Sequence, residues 1–492
     1  MDQSNPISRR TRAITRVSPG LDESVVTMRI MKFGAIAFAD ALRVRDTIRI
    51  IKEQHAKDPS VVVVCSALPG ITDALLRAAR AAAHGGEQEA DVARRELWNR
   101  HRQIAEKLVT DEWEREMLFQ RLAEQLKQLD RMTRAMATLG EYSARGIDAI
   151  ASLGERFAAL IIAVILRQSG VAAQMIDATE LIVTDAHFGV ARPYLDESFT
   201  KISERLLPML QAGIIPVVTG YTGATRNGVV TTLGRGGGDY TAALIGAAVN
   251  ATEVCLWTDV DGILTADPKI VPDAKPLPEL SYAEAAEMAT LSGSEILHLR
   301  TLMPLATRCI PLRIANVHSP EQPGTLVTAL PTPTHASGAI ISTRGLALIA
   351  ASSSSLPTYE EAWTAELAAT VTARLSHAGI ETLLAHQSEL DRTLMVIVRQ
   401  PDATYTKEIF EQSFGKDYNV TLHSTVALVS IISAAHGTVL PSLAMYALGR
   451  AQINHIASSR SLHGAYVSFV LPDESVASAV QILHSDLGFA ST

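Results

Sequence analysis

Residues 231–268 read TTLGRGGGDYTAALIGAAVNATEVCLWTDVDGILTADP. Three consecutive glycines, Gly236 to Gly238, stand between a cation, Arg235, and a carboxylate, Asp239. An alanine-rich helix-forming run follows, then a buried-strand run from Glu253 to Trp257, then the acidic turn Thr258-Asp259-Val260-Asp261-Gly262. The order is loop, helix, strand, loop, with polar residues gathered in the loops. Glycines without a Cβ let the backbone come close to a ligand. The carboxylates of the turn lack the spacing and the terminal glutamate of a calcium-binding EF-hand loop.

Outward from this stretch, strand-like runs alternate with helical ones from about Val25 to Val327. The strands are expected at Val25–Phe33, Val61–Leu68, Val171–Ile176, Ile214–Thr219, Glu253–Trp257 and Pro311–Ala315. Several are unbroken aliphatic runs, such as VVVVC at 61–65. Strands covered by helices on both faces of a parallel sheet have that character. The expectation is a three-layer αβα domain over residues 26–335 with a mostly parallel sheet and right-handed crossovers. Residues 73–165 are mostly helical, and Arg80 to Arg145 reads as a pair of amphipathic helices packed on the sheet edge. The leucine spacing there is not sustained over enough heptads for a coiled coil.

Proline and small polar residues at Pro331–Thr334 mark a boundary. Beyond it the chain shows a weak duplication in the order β-α-β-β-α. One copy has the strand Leu346–Ala351 and helices near Ala362–His377 and Tyr405–Phe414. The other has Ala427–Ser433, Leu440–Arg450 and Glu474–Ser485. Two ferredoxin-like α+β modules are expected, at 342–422 and 423–492.

Composition narrows the function. The chain has 492 residues, 47% hydrophobic and 20% charged, with a formal net charge of −8. That is globular material with several cores, and it lacks the basic footprint of a nucleic-acid binder. Cys65, Cys255 and Cys309 are too scattered for a disulfide frame or metal knuckle, and the first two read as small buried hydrophobes. The sequence shows no uninterrupted apolar run fit for a membrane span. Residues 1–25 carry Arg9, Arg10, Arg12 and Arg16 without an apolar core, so they read as a flexible tail rather than a secretory signal. A cytoplasmic protein is expected.

The phosphate-binding sequence G-x-x-x-x-G-K-[ST] is absent. Lys32-Phe33-Gly34 instead closes the first strand ahead of a helical stretch, and backbone N–H groups with a lysine beside them suit an anion there. By themselves, Thr72 or Asp73 fit an ordinary helix N-cap, and Glu155 fits a helix-start carboxylate.

Together these motifs, in this order, resemble the aspartokinases of the amino-acid kinase family, and the likeness covers roughly residues 27–490. The two C-terminal copies resemble tandem ACT domains, which sense amino acids and pair side by side. The resemblance implies that Glu155 of Gly154-Glu155 binds a substrate α-ammonium, that Arg235 clamps its α-carboxylate, and that Thr72 contacts it. The similar pair Gly140-Glu141 fits less well. Lys32 and Asp239 take the catalytic positions: Lys32 at phosphate, Asp239 organising the groups around the transferring phosphoryl. Gly34, Gly236, Gly237, Thr258, Asp259, Leu264 and Lys269 fall on the nucleotide side, Leu264 standing where a tyrosine is frequent. The implied substrates are ATP, with Mg2+ arriving on the nucleotide, and aspartate or a related amino acid. No protein metal site is implied. An amino-acid effector at the ACT-like modules and a homodimer formed through them are implied as well, without nucleic-acid or membrane partners.

Five positions depart from the family pattern. Ala35 replaces a glycine, Ile36 and Ala37 replace hydroxyl residues, Gly238 replaces a serine, and Glu295 replaces the lysine that helps neutralise the transferring phosphoryl. At an effective dielectric of about 20, a unit pair about 4 Å apart is worth roughly 4 kcal/mol. Expressed wholly in the transition state, that is about three decades of rate. His298 reads as a packing residue. Two functions follow from the resemblance: phosphotransfer from ATP to the β-carboxylate of aspartate, the entry to lysine, threonine and methionine synthesis, full or weakened; or a non-catalytic regulatory subunit or amino-acid sensor. A kinase for another carboxylic amino acid is a variant of the first.

Overall fold

The structure is a computed structural model that describes residues 27–292, 297–331, 338–353, 365–388, 392–415, 418–433, 437–461 and 466–489. The expected tail 1–25, most of the boundary 331–334 and Glu295 lie outside the described residues.

The N-terminal half carries eleven strands. They are β1 (Met28–Phe33), β2 (Ser60–Cys65), β3 (Ala173–Ile176), β4 (Val183–Thr184), β5 (Ile215–Thr219) and β6 (Thr222–Thr225), then β7 (Val230–Thr232), β8 (Glu253–Thr258), β9 (Glu279–Ser281), β10 (Leu312–Asn316) and β11 (Thr325–Thr328). Eight of them form one sheet in the order β3-β5-β2-β1-β8-β10-β11-β9. The pairs from β3 to β10 are parallel, and β10 meets β11 antiparallel. A small sheet of β4, β6 and β7 sits beside it.

Both faces of the large sheet are covered, as its aliphatic strands require. Val61, Val63 and Cys65 of β2 enter one core, and Val62 and Val64 enter the other. Successive side chains alternate across the sheet, so a strand apolar at every position must be roofed twice. The helix Ala41–Lys57 illustrates the local logic. The Asp40 carboxylate accepts the N–H groups of Leu42 and Arg43 to start it, and Val44, Ile48 and Ile51 fall on its buried face.

Between β2 and β3 lie the helices Ile71–Ala83, Glu87–Leu108, Glu112–Leu139, Ala144–Ala151 and Leu153–Gln168. The second and third are the expected amphipathic pair; Leu118, Leu122, Leu126 and Leu129 line the buried stripe of the third. They pack on the neighbouring helices, and the third also borders the edge strand β3, where Trp113, Leu118 and Arg121 line a cavity with Gln174 and Met175. Contrary to the expectation of no membrane-length apolar run, residues Ala144–Gln168 are apolar and long enough to cross a membrane by length and composition. The stretch is two helices, however, and 89% of its most apolar window is buried within this fold.

The C-terminal part is one six-stranded antiparallel sheet built from β12 (Ala339–Ser353), β13 (Leu384–Ser388), β14 (Thr393–Arg399), β15 (Tyr418–Ile432), β16 (Ala457–Arg460) and β17 (Tyr466–Pro472). Its order is β13-β14-β12-β15-β17-β16. The long strands β12 and β15 run through both modules. Residues 346–353 of β12 pair with 418–426 of β15, and residues 339–343 pair with 428–432 after a register shift. The expected boundaries at 342 and 423 therefore fall inside single strands. The second module takes its outer strand from the start of β12, upstream of the first module. The helices Ala365–His377 and Ala403–Phe414 back the first module; Leu440–Arg450 and Val476–Asp486 back the second.

Candidate active site

Four parallel strands end side by side, and their carboxyl ends make the floor of the site. The Ser66 N–H donates to the Phe33 carbonyl at 3.2 Å, Gly34 N–H to Trp257 O at 2.9 Å, and Gly220 N–H to Cys65 O at 2.8 Å. These bonds tie the exits of β1, β2, β5 and β8 together. Ligand sites of open α/β sheets form outside the carboxyl ends of strands.

The glycine loop caps this floor. Gly236 has φ of +72° and precedes the helix Gly237–Val249. A side chain at that angle would be strained. Gly238 lies against Lys32: an added Cβ would stand 3.2 Å from Lys32 Cε and 3.6 Å from Ser66 Oγ. Lys32 Nζ meets Asp239 Oδ1 at 2.6 Å, both side chains largely covered. A lysine at a strand end, a carboxylate that orients it and a helix N-terminus beside them form a cradle suited to an oxyanion.

Glu155 reaches the same place from the helix Leu153–Gln168. It is buried, its Oε1 accepts the Ala67 N–H at 3.3 Å, and its Oε2 has no hydrogen-bond partner among the described residues. Burial pushes its carboxyl up to about 8, against the opposing pull of backbone N–H groups and of Lys32. A buried carboxyl with an open oxygen favours a cationic ligand, which would restore its charge. The competing pair Gly140-Glu141 ends the helix Glu112–Leu139, where Gly140 has φ of +63°, and Glu141 is exposed. Thr72 and Asp73 sit in the first turn of Ile71–Ala83; the N-cap itself is Gly70, with φ of +76°.

Arg235 is exposed on the glycine loop. It shares a positive environment with His298 and Arg300. Burial and those two guanidinium groups hold the His298 imidazole below its ordinary value, against Glu381 and Asp239. His298 packs over Gly236, where an added Cβ would lie 3.2 Å from its own Cβ. Its ring Nδ1 accepts the Arg300 N–H at the start of the helix Leu299–Thr307. Arg300 Nη1 donates to the Leu233 carbonyl at 3.3 Å, which sets that cation beside the loop.

The aliphatic positions after Lys32 are absorbed by packing. Ala35–Phe38 is a 3-10 turn in which Ala37 and Phe38 are buried and Ile36 packs on the same core. Neither Gly34, with φ of −68°, nor Ala35 adopts a positive φ, so the methyl at Ala35 strains nothing.

On the acidic turn after β8, Thr258 Oγ1 donates to Asp259 Oδ1 at 3.2 Å, and the Asn316 amide donates to Asp261 at 2.7 Å. Thr258 follows Trp257, so this end abuts Gly34. Leu264 and Lys269 lie further along. Leu264 lines an apolar cavity of about 280 Å³ with Val260, Ile263, Met288, Leu297 and Ile340. Lys269 is exposed, its N–H bonded to Asp267. The structure thus gathers Lys32, Gly34, Glu155, Gly236, Gly237, Gly238, Asp239 and Thr258 at one edge. It places Leu264 and Lys269 toward the C-terminal sheet.

Sequence reasoning missed Asp148. Its Oδ2 accepts the N–H groups of Gly189 at 2.9 Å and Thr232 at 2.8 Å, and its Oδ1 accepts the Thr232 hydroxyl at 2.8 Å. It anchors β7 just before the glycine loop. Burial holds its carboxyl above the usual range against those donors. The one signal was a lone aspartate in the apolar run Ile147–Ala151. Cys65 and Cys255 are buried thiols pushed well up by that burial, as expected of packing residues. Among the described residues, no group of three or more His, Cys, Asp or Glu side chains could hold a metal ion.

Residues 27–316 match the model of the amino acid kinase family. Aspartokinase 1, chloroplastic, of Arabidopsis thaliana is 28% identical over 494 residues, covering 97% of this chain and 82% of that protein. Lysine-sensitive aspartokinase 3 of Escherichia coli is 38% identical over 206 residues, a match spanning 41% of this chain and 45% of that protein. The crystal structure of E. coli aspartokinase III in complex with aspartate and ADP superposes with a TM-score of 0.76 at 28% identity. It covers 94% of this chain and 99% of that one.

Proposed function

Because the chain belongs to the amino acid kinase family, we infer from its site that it is an aspartate kinase, transferring the γ-phosphoryl group of ATP to the β-carboxylate of L-aspartate. A β-carboxylate oxygen bonds to the γ-phosphorus, the bond to the β,γ-bridging oxygen breaks, and ADP leaves with that electron pair. The single observation that carries this reading is the Lys32–Asp239 pair at 2.6 Å, set at a helix N-terminus beside buried Glu155.

Glu155 receives the α-ammonium of aspartate, Arg235 its α-carboxylate in a bidentate fork, and Thr72 lies in the loop alongside. Lys32, fixed by Asp239, and the N–H groups of Gly236 and Gly237 hold phosphate oxygens. Positioned cations and dipoles supply most of the help that phosphoryl transfer needs. Gly34, Thr258 and Asp259 border the nucleotide, with Leu264 and Lys269 on its outer side. Mg2+ enters on the ATP phosphates and neutralises part of their charge.

A soluble cytoplasmic homodimer, joined through the ACT-like modules and tuned by an amino-acid effector, completes the proposal. The exposed apolar residues Val439, Leu443, Met445 and Tyr446 of the second module fit such an assembly. The candidate effector loops, near Ser352–Ser355 and Ser433–Gly437, lie largely outside the described residues.

The test traps acyl phosphate as hydroxamate from purified protein, ATP, Mg2+ and aspartate, with Arg235→Ala alongside. Product lost in that variant supports the assignment. The aliphatic turn Ala35–Ala37, which offers no hydroxyl to phosphate, favours a second reading as a non-catalytic sensor. Product from the Glu295→Lys, Ala35→Gly double variant but none from the native chain would select that second reading.

A further inference from the structure

The nucleotide-side turn does not end in solvent. Its far limb is built into the second C-terminal module. The Thr265 hydroxyl and His484 Nε2 are 2.9 Å apart, with Thr265 1% and His484 2% exposed. The same hydroxyl accepts the Lys275 N–H at 3.0 Å, which leaves its own hydrogen and a second lone pair to meet His484 Nε2. Burial holds the His484 imidazole below its ordinary value, which favours the neutral ring in this contact. The Thr265 carbonyl accepts the Ile340 N–H of β12 at 2.8 Å. Five residues on, the Gln481 amide donates to the Ile270 carbonyl at 3.0 Å. Ala266 and Val271 belong to the apolar core of that module, together with Val476, Leu483 and Phe489.

We propose that Thr265 and His484 are positioning residues for the nucleotide: the second module holds the turn Thr258–Lys269 in its binding geometry through this buried contact. The proposal rests on the reading that the turn borders ATP. Among the described residues, none of the clamp's hydrogen bonds involves Glu155 or the Ala67 loop, which the proposed function gives to the amino-acid side. Loosening the clamp therefore lowers the fraction of chains with a competent turn, and apparent nucleotide affinity falls by that fraction. Aspartate affinity stays.

Calorimetry on the full chain tests this, with MgADP and L-aspartate as separate probes. Thr265→Val removes the hydroxyl and keeps the shape. Its expected effect is MgADP binding about tenfold weaker, the ratio that matches the loss of one buried hydrogen bond. Aspartate binding should stay within about twofold, and Thr265→Ser should restore MgADP. MgADP unchanged in Thr265→Val, or both ligands weakened alike, overturns the proposal. If the valine variant does not fold, Gln481→Ala removes only the exposed link to Ile270. Weaker MgADP with unchanged aspartate then supports the clamp, and unchanged MgADP overturns it. A native chain that binds no MgADP removes the nucleotide reading and the clamp with it, whereas native binding with an indifferent variant removes the clamp alone.

Discussion

Glu155→Gln puts the substrate assignment at risk. The carboxyl is buried, and burial raises it from 4.5 to about 8. Each pH unit between those values is worth about 1.4 kcal/mol. Ionised Glu155 thus costs the ligand-free fold on the order of 5 kcal/mol above pH 8. The sign follows from where the proton sits. The native chain keeps a proton that the unfolded chain releases near the ordinary carboxyl value. This group's contribution to stability is full below that value and is lost as pH rises through about 8. Glutamine carries no such titration, so the urea midpoint of the variant should gain on the native one as pH climbs from 5 to 9. Ligand binding runs the opposite way. An α-ammonium needs the carboxylate, so below about 8 the native site must shed a proton to bind. Aspartate affinity should therefore drop by up to about tenfold for each pH unit below that point. Calorimetry in buffers of different ionisation enthalpy reads both the affinity and the released proton. Glutamine should bind more weakly and with no pH slope. Equal native affinity at pH 6 and 8 with no proton release, or an unimpaired glutamine variant, would refute the reasoning.

Other outcomes follow from the same geometry. Lys32→Met should abolish hydroxamate formation while leaving aspartate binding within a few-fold, since the lysine faces Asp239 and the phosphate cradle; retained turnover would remove it from catalysis. Asp148→Ala frees the donors of Gly189 and Thr232 and should cost about 2 kcal/mol of stability and loosen the glycine loop. A denaturation midpoint unchanged from the native chain would contradict that. Tyr446→Glu should shift a dimer toward monomer in light scattering if the exposed helix face of the second module joins two copies, and an unchanged mass would exclude that face.

The parallel sheet was legible because its central strands are apolar at every position. VVVVC at 61–65 admits almost no other environment, and β2 is buried throughout. The Lys32–Asp239 juxtaposition of the candidate site was legible because it comes from two local motifs, Lys32–Gly34 and Arg235–Asp239, each at a strand-to-helix junction. What the sequence hid is pairing between distant segments. β12 and β15 each look like one strand of one module, and nothing local announces that residues 339–343 serve the other. Asp148 was hidden for the same reason: its partners, Gly189 in a loop and Thr232 at the end of β7, are remote in sequence. The departures at Ala35–Ala37 looked like damage when read against phosphate chemistry alone. Packing accounts for Ile36 and Ala37, which sit against the core on one face of the large sheet; nothing in the structure explains Ala35.

Glu155 is delivered to the site from 88 residues away, where the Ala67 N–H meets it, and the glycine before it decides how close it comes. A Cβ added at Gly154 would lie 2.7 Å from Ala67 Cβ and 3.4 Å from Ile71 Cγ2. Two effects compete in Gly154→Ala. Gly154 is helical, so alanine gains roughly 1 kcal/mol of helix propensity. Overpacking costs about 1–3 kcal/mol. The contact at Ala67 has no flexible end to swing aside, because that methyl is anchored directly to the backbone leaving β2. Packing should therefore win, by about 1 kcal/mol. The strain should also push the Glu155 helix off the Ala67 N–H, weakening aspartate while MgADP binding holds. A Gly154→Ala chain at least as stable as the native one, with unchanged aspartate affinity, would mean that this close approach does not set the site.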